Sequence, residues 1–279
     1  MKKFLAVLLS VVMLAVLATG CAKYSTADEI KDRGTLVLYT NAAFPPYEYL
    51  SNGQAAGVDI DIAKAIAEEL GVELEIHDVK FDTLIPALKS GKADIILAGM
   101  TVTDERKESV DFSVSYATSV QYIIVPQDSE VDTIEDLAGM KIGVQLGTTG
   151  NFIMSDEVNG VDNEDGTHTQ GVLEGTGAEV MTFNNAALAA LELSNGGINA
   201  VVVDKLPAQI VAQNYENFKA IELVYADGST TDESYAAAVA KGNESLLEVV
   251  DKVINELISS GKIDEWTVTH SNSAVDDME

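Results

Sequence analysis

Thr35-Leu36-Val37-Leu38-Tyr39-Thr40 is a short run of β-branched and large apolar residues, and from it the chain alternates strand and helix signals as far as Ala98. Residues 59–70 put Ile62, Ala63, Ile66, Ala67 and Leu70 on one face at helical spacing, and Gly71 is a natural stop. Residues 72–76 alternate as a strand. Asp82 is placed to cap a helix through Lys89 that ends at Ser90-Gly91, and residues 94–98 read as a buried parallel strand. This order predicts an α/β fold with an open, mostly parallel sheet covered by helices on both faces.

The same order returns further along. Residues 140–145 read as a strand, and Gly147-Thr148-Thr149-Gly150 opens a helix. Residues 179–183 form another strand, 185–193 a helix, and 200–203 a buried strand after Asn195-Gly196-Gly197. The stretch from Ala87-Leu88 through Gly91 to Ile95-Ile96 is echoed from Ala190-Leu191 through Gly196 to Ala200-Val201. Two copies of one unit predict two similar lobes. Residues 235–240 read as a further strand and 244–260 as a long amphipathic helix ending at Gly261.

The N-terminus speaks to compartment. Lys2 and Lys3 precede an apolar run over residues 4–17, then Ala18-Thr19-Gly20 leads to Cys21. A charged start, a short apolar core and small residues predict a secretory signal over residues 1–20. A membrane-spanning helix needs roughly 20 apolar residues, more than this run supplies. Ala18-Thr19-Gly20-Cys21 resembles a bacterial lipobox, with Ala18 where leucine is usual, so Cys21 is the expected lipidation site. Cys21 is also the only cysteine, which rules out an internal disulfide or a cysteine-based metal site. The signal holds two of the 17 basic residues and none of the 45 acidic ones, so residues 21–279 are more acidic still than the whole chain's −28. Such a surface repels nucleic acid and anionic headgroups, and neither is expected as a partner.

Little points to catalysis. His77, His168 and His270 are scattered without ligand spacing, and the last two sit in polar stretches expected to be exposed. No Gly-x-Ser-x-Gly elbow occurs, and Gly147-Thr148-Thr149-Gly150 lacks the lysine of a phosphate loop. Glycine-freed amides at a helix start still make a cradle for a carboxylate. Residues 155–171, with Asp156, Glu157, Asp162, Glu164 and Asp165, read as a solvated insertion. Counting back from Gly166, Val161 occupies the place where a calcium loop needs its first acid. No metal or cofactor is expected.

The most specific stretch runs from Thr40 to Phe112. It contains Asn41-Ala42-Ala43-Phe44-Pro45-Pro46-Tyr47-Glu48-Tyr49, then Gly57-Val58-Asp59-Ile60-Asp61, then Ala98-Gly99-Met100-Thr101-Val102-Thr103-Asp104-Glu105-Arg106, and closes on Val110-Asp111-Phe112. Order and spacing resemble the polar amino-acid-binding components of ATP-driven importers, the bacterial extracellular solute-binding family 3. The later part of the chain is similar mainly at Gly147-Thr148-Thr149 and Asp204. The resemblance implies that Arg106 clamps a ligand carboxylate, which its planar fork suits. It implies too that Thr101 and Thr149 complete the clamp and that Asp204 takes the ligand ammonium. Gly99 would offer a carbonyl, with Met100 beside it in the same loop. Phe44 and Phe81 would wall the side chain. Asn41 stands where relatives selecting basic side chains tend to carry an acid, and Gln145 faces the specificity region.

With the resemblance, the expected architecture is a bilobal, type II periplasmic-binding-protein fold, two open mostly parallel sheets joined by two hinge crossovers. Lobe one would be residues 21–116 plus 236–279, lobe two 121–232, with hinges at 117–120 and 232–236. Function is expected to be extracytoplasmic capture of a free L-amino acid, polar or moderately basic, by a monomer on a lipid anchor that serves the permease subunits of an ABC importer. A sensing lipoprotein without an importer, and a dehydratase-like enzyme on the same fold, stay open. The enzyme would need a general acid or base in the cleft.

Overall fold

The computed structural model describes residues 24–215 and 217–278. The expected signal segment and Cys21 lie outside the described residues. Two five-stranded sheets organise the chain. The first sets Glu73–Asp78, Thr35–Thr40, Ile95–Ile96, Ala238–Ala240 and Val110–Phe112 side by side. The second sets Glu179–Phe183, Lys141–Gln145, Ala200–Asp204, Gln121–Pro126 and Phe218–Glu222 in the matching order. In each, the first three strands pair in parallel and the fourth runs antiparallel to both neighbours. A single strand therefore opposes the other four. That odd strand is in each case the one entered after the chain crosses between sheets.

The two crossings lie side by side. Ala117–Ser119 pairs antiparallel with Glu233–Tyr235, Ala117 opposite Tyr235. The predicted strand over 235–240 is thus two strands. Tyr235 ends the crossing, the Ala236 N–H donates to the Met100 carbonyl, and Ala238–Ala240 enters the first sheet. An alternating apolar run does not reveal that its two halves have different neighbours.

Helices form where the periodicity places them. Val58–Leu70 buries Ile62, Ala63, Ile66, Ala67 and Leu70, and the Gly71 N–H, from a left-handed backbone, closes the helix on Ala67 and Glu68. Each buried Ile or Leu contributes about 1.5–3 kcal/mol relative to exposure. Asn185 caps Ala186–Ser194 by accepting the Leu188 N–H.

Three local expectations need correction. Asp82 does not cap a helix: residues Phe81–Thr83 form a 3₁₀ turn, and the α-helix is Leu84–Lys89. The strand expected over 94–98 is only Ile95–Ile96, because the Asp94 carboxylate is spent on the Val37 N–H and Arg33. The acidic segment is solvated over most of its length and carries some regular structure. Its first residues end the helix Thr149–Asn159, and Val161–Asp162 pairs with His168–Thr169. Finally, His270 is not on an exposed stretch. It lies in the helix Lys262–Met278, within hydrogen-bond reach of the Tyr49 hydroxyl at 3.1 Å and of Asp61 at 3.0 Å.

Candidate ligand-binding site

Parallel strands carry the chain to the same edge of a sheet, and loops leaving that edge are where open α/β sheets hold ligands. Here the carboxyl ends of the two sheets face one another around a small hollow lined from both. Asn41 follows the strand Thr35–Thr40 of one sheet and Gln145 ends the strand Lys141–Gln145, second in the order of the other as Thr35–Thr40 is in its own. They meet: the Gln145 Nε2 donates to the Asn41 Oδ1 at 2.9 Å, while the Asn41 Nδ2 donates to the Val79 carbonyl.

Arg106 arrives on the short helix Asp104–Ser109, which Thr103 caps through the Arg106 N–H. The rest of that helix is polar and solvated, but Arg106 is buried and lines the hollow. Its guanidinium donates to the Thr101 carbonyl at 2.7 Å and, across the hollow, to the Gly147 carbonyl at 3.1 Å. It also lies over the Phe81 ring, 5.4 Å from the centroid. Burial pulls its pKa down, while Glu233 and Asp204 work the other way. An arginine keeps its charge under such opposition.

Asp204 closes the buried strand Ala200–Asp204 and precedes the helix Lys205–Asn214. It makes no side-chain cap bond to that helix. Its oxygens instead accept from the Gln121 Nε2, at 3.0 Å, and from the Tyr235 hydroxyl. Burial first, and the charge of Glu233 second, push its carboxyl well above the usual range.

Gly99, Thr101, Thr149, Phe44 and Phe81 also line the hollow. The Gly99 N–H donates to Asp59, and with φ +51° a β-carbon there would come within 2.5 Å of the Phe44 ring. Only glycine lets that wall stand where it does. Thr149 begins the helix Thr149–Asn159, whose start is capped by the Thr148 hydroxyl, and free amides of that first turn suit an anion. Met100 is the exception among the expected residues. Its side chain packs in the apolar cluster with Leu84 and Leu88, outside the lining, because the turn at Gly99 sends it into that core.

Sequence reasoning missed Glu48, Gln121, Glu233 and Tyr235. Glu48 lines the hollow and is fully buried; burial and the charge of Asp59 hold its carboxyl well above the usual range. Both of its carboxyl oxygens are buried without a hydrogen-bond partner among the described residues. Glu233 accepts from the Thr101 hydroxyl at 2.7 Å and from the Gln121 Nε2 at 2.8 Å. An acid between aromatics in Tyr47-Glu48-Tyr49, and another in the alternating run before Tyr235, were the signals available.

Comparison with known proteins agrees with this architecture. The family model for bacterial extracellular solute-binding proteins, family 3, matches residues 36–270. A probable histidine-binding protein of Neisseria gonorrhoeae is 33% identical over 270 residues, 95% of this chain and 94% of its own. The L-cystine-binding protein TcyJ of Escherichia coli K12 is 30% identical over 260 residues, 90% of each chain. A crystal structure of the amino acid ABC transporter substrate-binding protein AbpA from Streptococcus pneumoniae, bound to L-arginine, superposes with a TM-score of 0.79 at 31% identity. The match covers 89% of this chain and 99% of that one.

Proposed function

The chain belongs to the bacterial extracellular solute-binding proteins, family 3, and from that premise we propose that it binds one free L-amino acid between its sheets and delivers it to an ABC-type importer. One observation carries the reading: a buried guanidinium and a buried carboxylate, Arg106 and Asp204, reach the same hollow from different sheets. A free amino acid presents the complementary pair of charges. Arg106, Thr101 and Thr149 hold the carboxylate, Asp204 and the Gly99 carbonyl the ammonium, and Phe44 and Phe81 enclose a polar or moderately basic side chain beside Asn41 and Gln145. Relatives that bind histidine, cystine or arginine support the ligand class.

In this reading residues 21–116 with 236–279 form one lobe and 121–232 the other, and the crossings at 117–120 and 232–236 are hinges. Neither lobe alone neutralises both ligand charges, so ligand favours the closed arrangement that permease subunits would read. The protein acts as a monomer outside the cytoplasm, held at the membrane by a lipid on Cys21. Calorimetry with the twenty L-amino acids should find tight binding for one or a few. N-acetyl and amide derivatives of these should bind more weakly by about 2–5 kcal/mol, since each leaves a buried charge unpaired. Equal affinity for the blocked forms would refute the assignment. Cys21→Ser should leave the membrane fraction while binding persists, and unchanged fractionation would remove the lipid from the account.

A further inference from the structure

Asp204 is not alone at its end of the hollow. Glu233, on the crossing strand Glu233–Tyr235, is also buried, and the Gln121 side-chain amide reaches both acids from Nε2, at 3.0 Å to Asp204 and 2.8 Å to Glu233. One amide nitrogen thus spans two carboxyl groups. Their other donors are neutral hydroxyls, Tyr235 on Asp204 and Thr101 on Glu233. The carbonyl oxygen of the same Gln121 is buried without a partner. At this end Asp204 lines the hollow, Glu233 is joined to it through Gln121 and bonded to the lining Thr101, and these donors to the two acids are neutral.

The charges facing the pair do not balance it. Arg106 is the buried cation that acts on both acids, yet its guanidinium hydrogen-bonds carbonyls of Thr101 and Gly147. The charge of Asp204 helps to push the buried Glu48 carboxyl upward, so Glu48 supplies no counter-charge, and Tyr47 and Tyr235 are phenols that burial keeps neutral. Two buried carboxylates sharing one neutral donor cannot both stay ionised without a counter-charge.

We propose that Glu233 is the second carboxylate of the ammonium site, and that the empty protein keeps a proton on the Asp204–Glu233 pair which the ligand's ammonium displaces to solvent. Gln121 is then a positioning residue. It holds both acids toward one point and ties that point to the crossings, since it begins the strand Gln121–Pro126 just past the first and Glu233 lies on the second. The inference rests on the proposed amino-acid site and adds to it a proton exchange and a residue.

The sign is set by linkage. Asp204 is held high in the empty site by burial and by Glu233, and an ammonium beside it restores the ionised form. Binding therefore releases a proton, and affinity rises with pH by up to about tenfold per unit while the empty pair is protonated. The rise ends where the pair ionises unaided.

Carboxyl-labelled NMR of the empty protein tests this without any ligand. An aspartate signal should titrate well above the ordinary range, vanish in Asp204→Asn and move down in Glu233→Gln. Its absence from wild type overturns the proposal, whatever the protein binds. Calorimetry with L-arginine and with L-glutamine, each in phosphate and in Tris at pH 7, gives the second measurement. Proton release approaching one per ligand is expected with whichever binds, and Glu233→Gln should still bind while releasing much less. Release unchanged in Glu233→Gln, or uptake in place of release, would remove Glu233 from the site. If neither amino acid binds, the proposed function suffers, while the NMR titration still decides the proton.

Discussion

The third strand of each sheet ends at the same hollow, yet the two ends carry opposite charges. In the second sheet the anion is the strand's last residue, Asp204, held by Gln121 and by Tyr235 at the crossing. In the first sheet the strand Ile95–Ile96 is followed by a loop, and the cation comes from the separate helix Asp104–Ser109. Asp204 is pre-organised by the ladder behind it. Arg106 reaches in on a long stem, and one of the two carbonyls that orient it, Gly147, belongs to the other sheet. A repeated scaffold offers two equivalent places, and the two are furnished differently, as the proposed zwitterion site requires. The acid stands in position on its strand, whereas the guanidinium takes one of its two orienting carbonyls from the other sheet.

The largest effect should come from the residues that differ most. Arg106→Ala is expected to weaken ligand binding by about 2–5 kcal/mol, because a ligand carboxylate loses its charged partner inside a closed hollow. That is roughly 30- to several-thousand-fold. Asp204→Asn should cost a comparable amount by calorimetry, and small-angle scattering should show that neither variant compacts with ligand as wild type does. Wild-type affinity in Arg106→Ala would mean that the buried guanidinium does not hold the ligand carboxylate and would end the comparison.

Next comes a backbone test. Gly147 has φ +81°, and a β-carbon there would lie 3.3 Å from the Asp82 β-carbon. Gly147→Ala should therefore cost about 1–3 kcal/mol of stability in urea unfolding. The corresponding place after the strand Thr35–Thr40 of the other sheet is Ala43, where Ala43→Gly should cost at most about 1 kcal/mol through the unfolded chain. Equal losses would mean that the two loops do not differ as described.

Smallest is the one place where the sheets are furnished alike. Asn41→Ala or Gln145→Ala should each lose about 0.5–1.5 kcal/mol of ligand binding. A double-mutant cycle should show coupling of at least about 0.5 kcal/mol, as for residues in direct contact. Strict additivity would mean that the Asn41–Gln145 bond makes no difference to the bound state.

Much of this was legible beforehand, for identifiable reasons. The helix Val58–Leu70 and the strands Thr35–Thr40 and Glu179–Phe183 came from periodicity and stop signals, which are local. Arg106 is a different case. Its neighbours Asp104, Glu105, Lys107 and Glu108 describe a solvated turn, and only the motif from Ala98 onward marks it as inward-facing. Met100 differs for the complementary reason: a motif names a loop, but packing of each side chain against the apolar cluster decides which of the loop's residues see the hollow.

The sequence by itself determined the repeated strand–helix order, the buried faces, and the residue types that make two charged anchors. Periodicity reports which side of an element is buried, and that much is written along the chain. Only the tertiary structure decided that Asn41 meets Gln145, that residues 235–240 divide between the crossing and the first sheet, and that Gln121, Glu233 and Asp204 form one buried group. Each of these is a pairing between residues far apart in the chain. A buried polar group must find its partner in space, and no local pattern records where that partner lies.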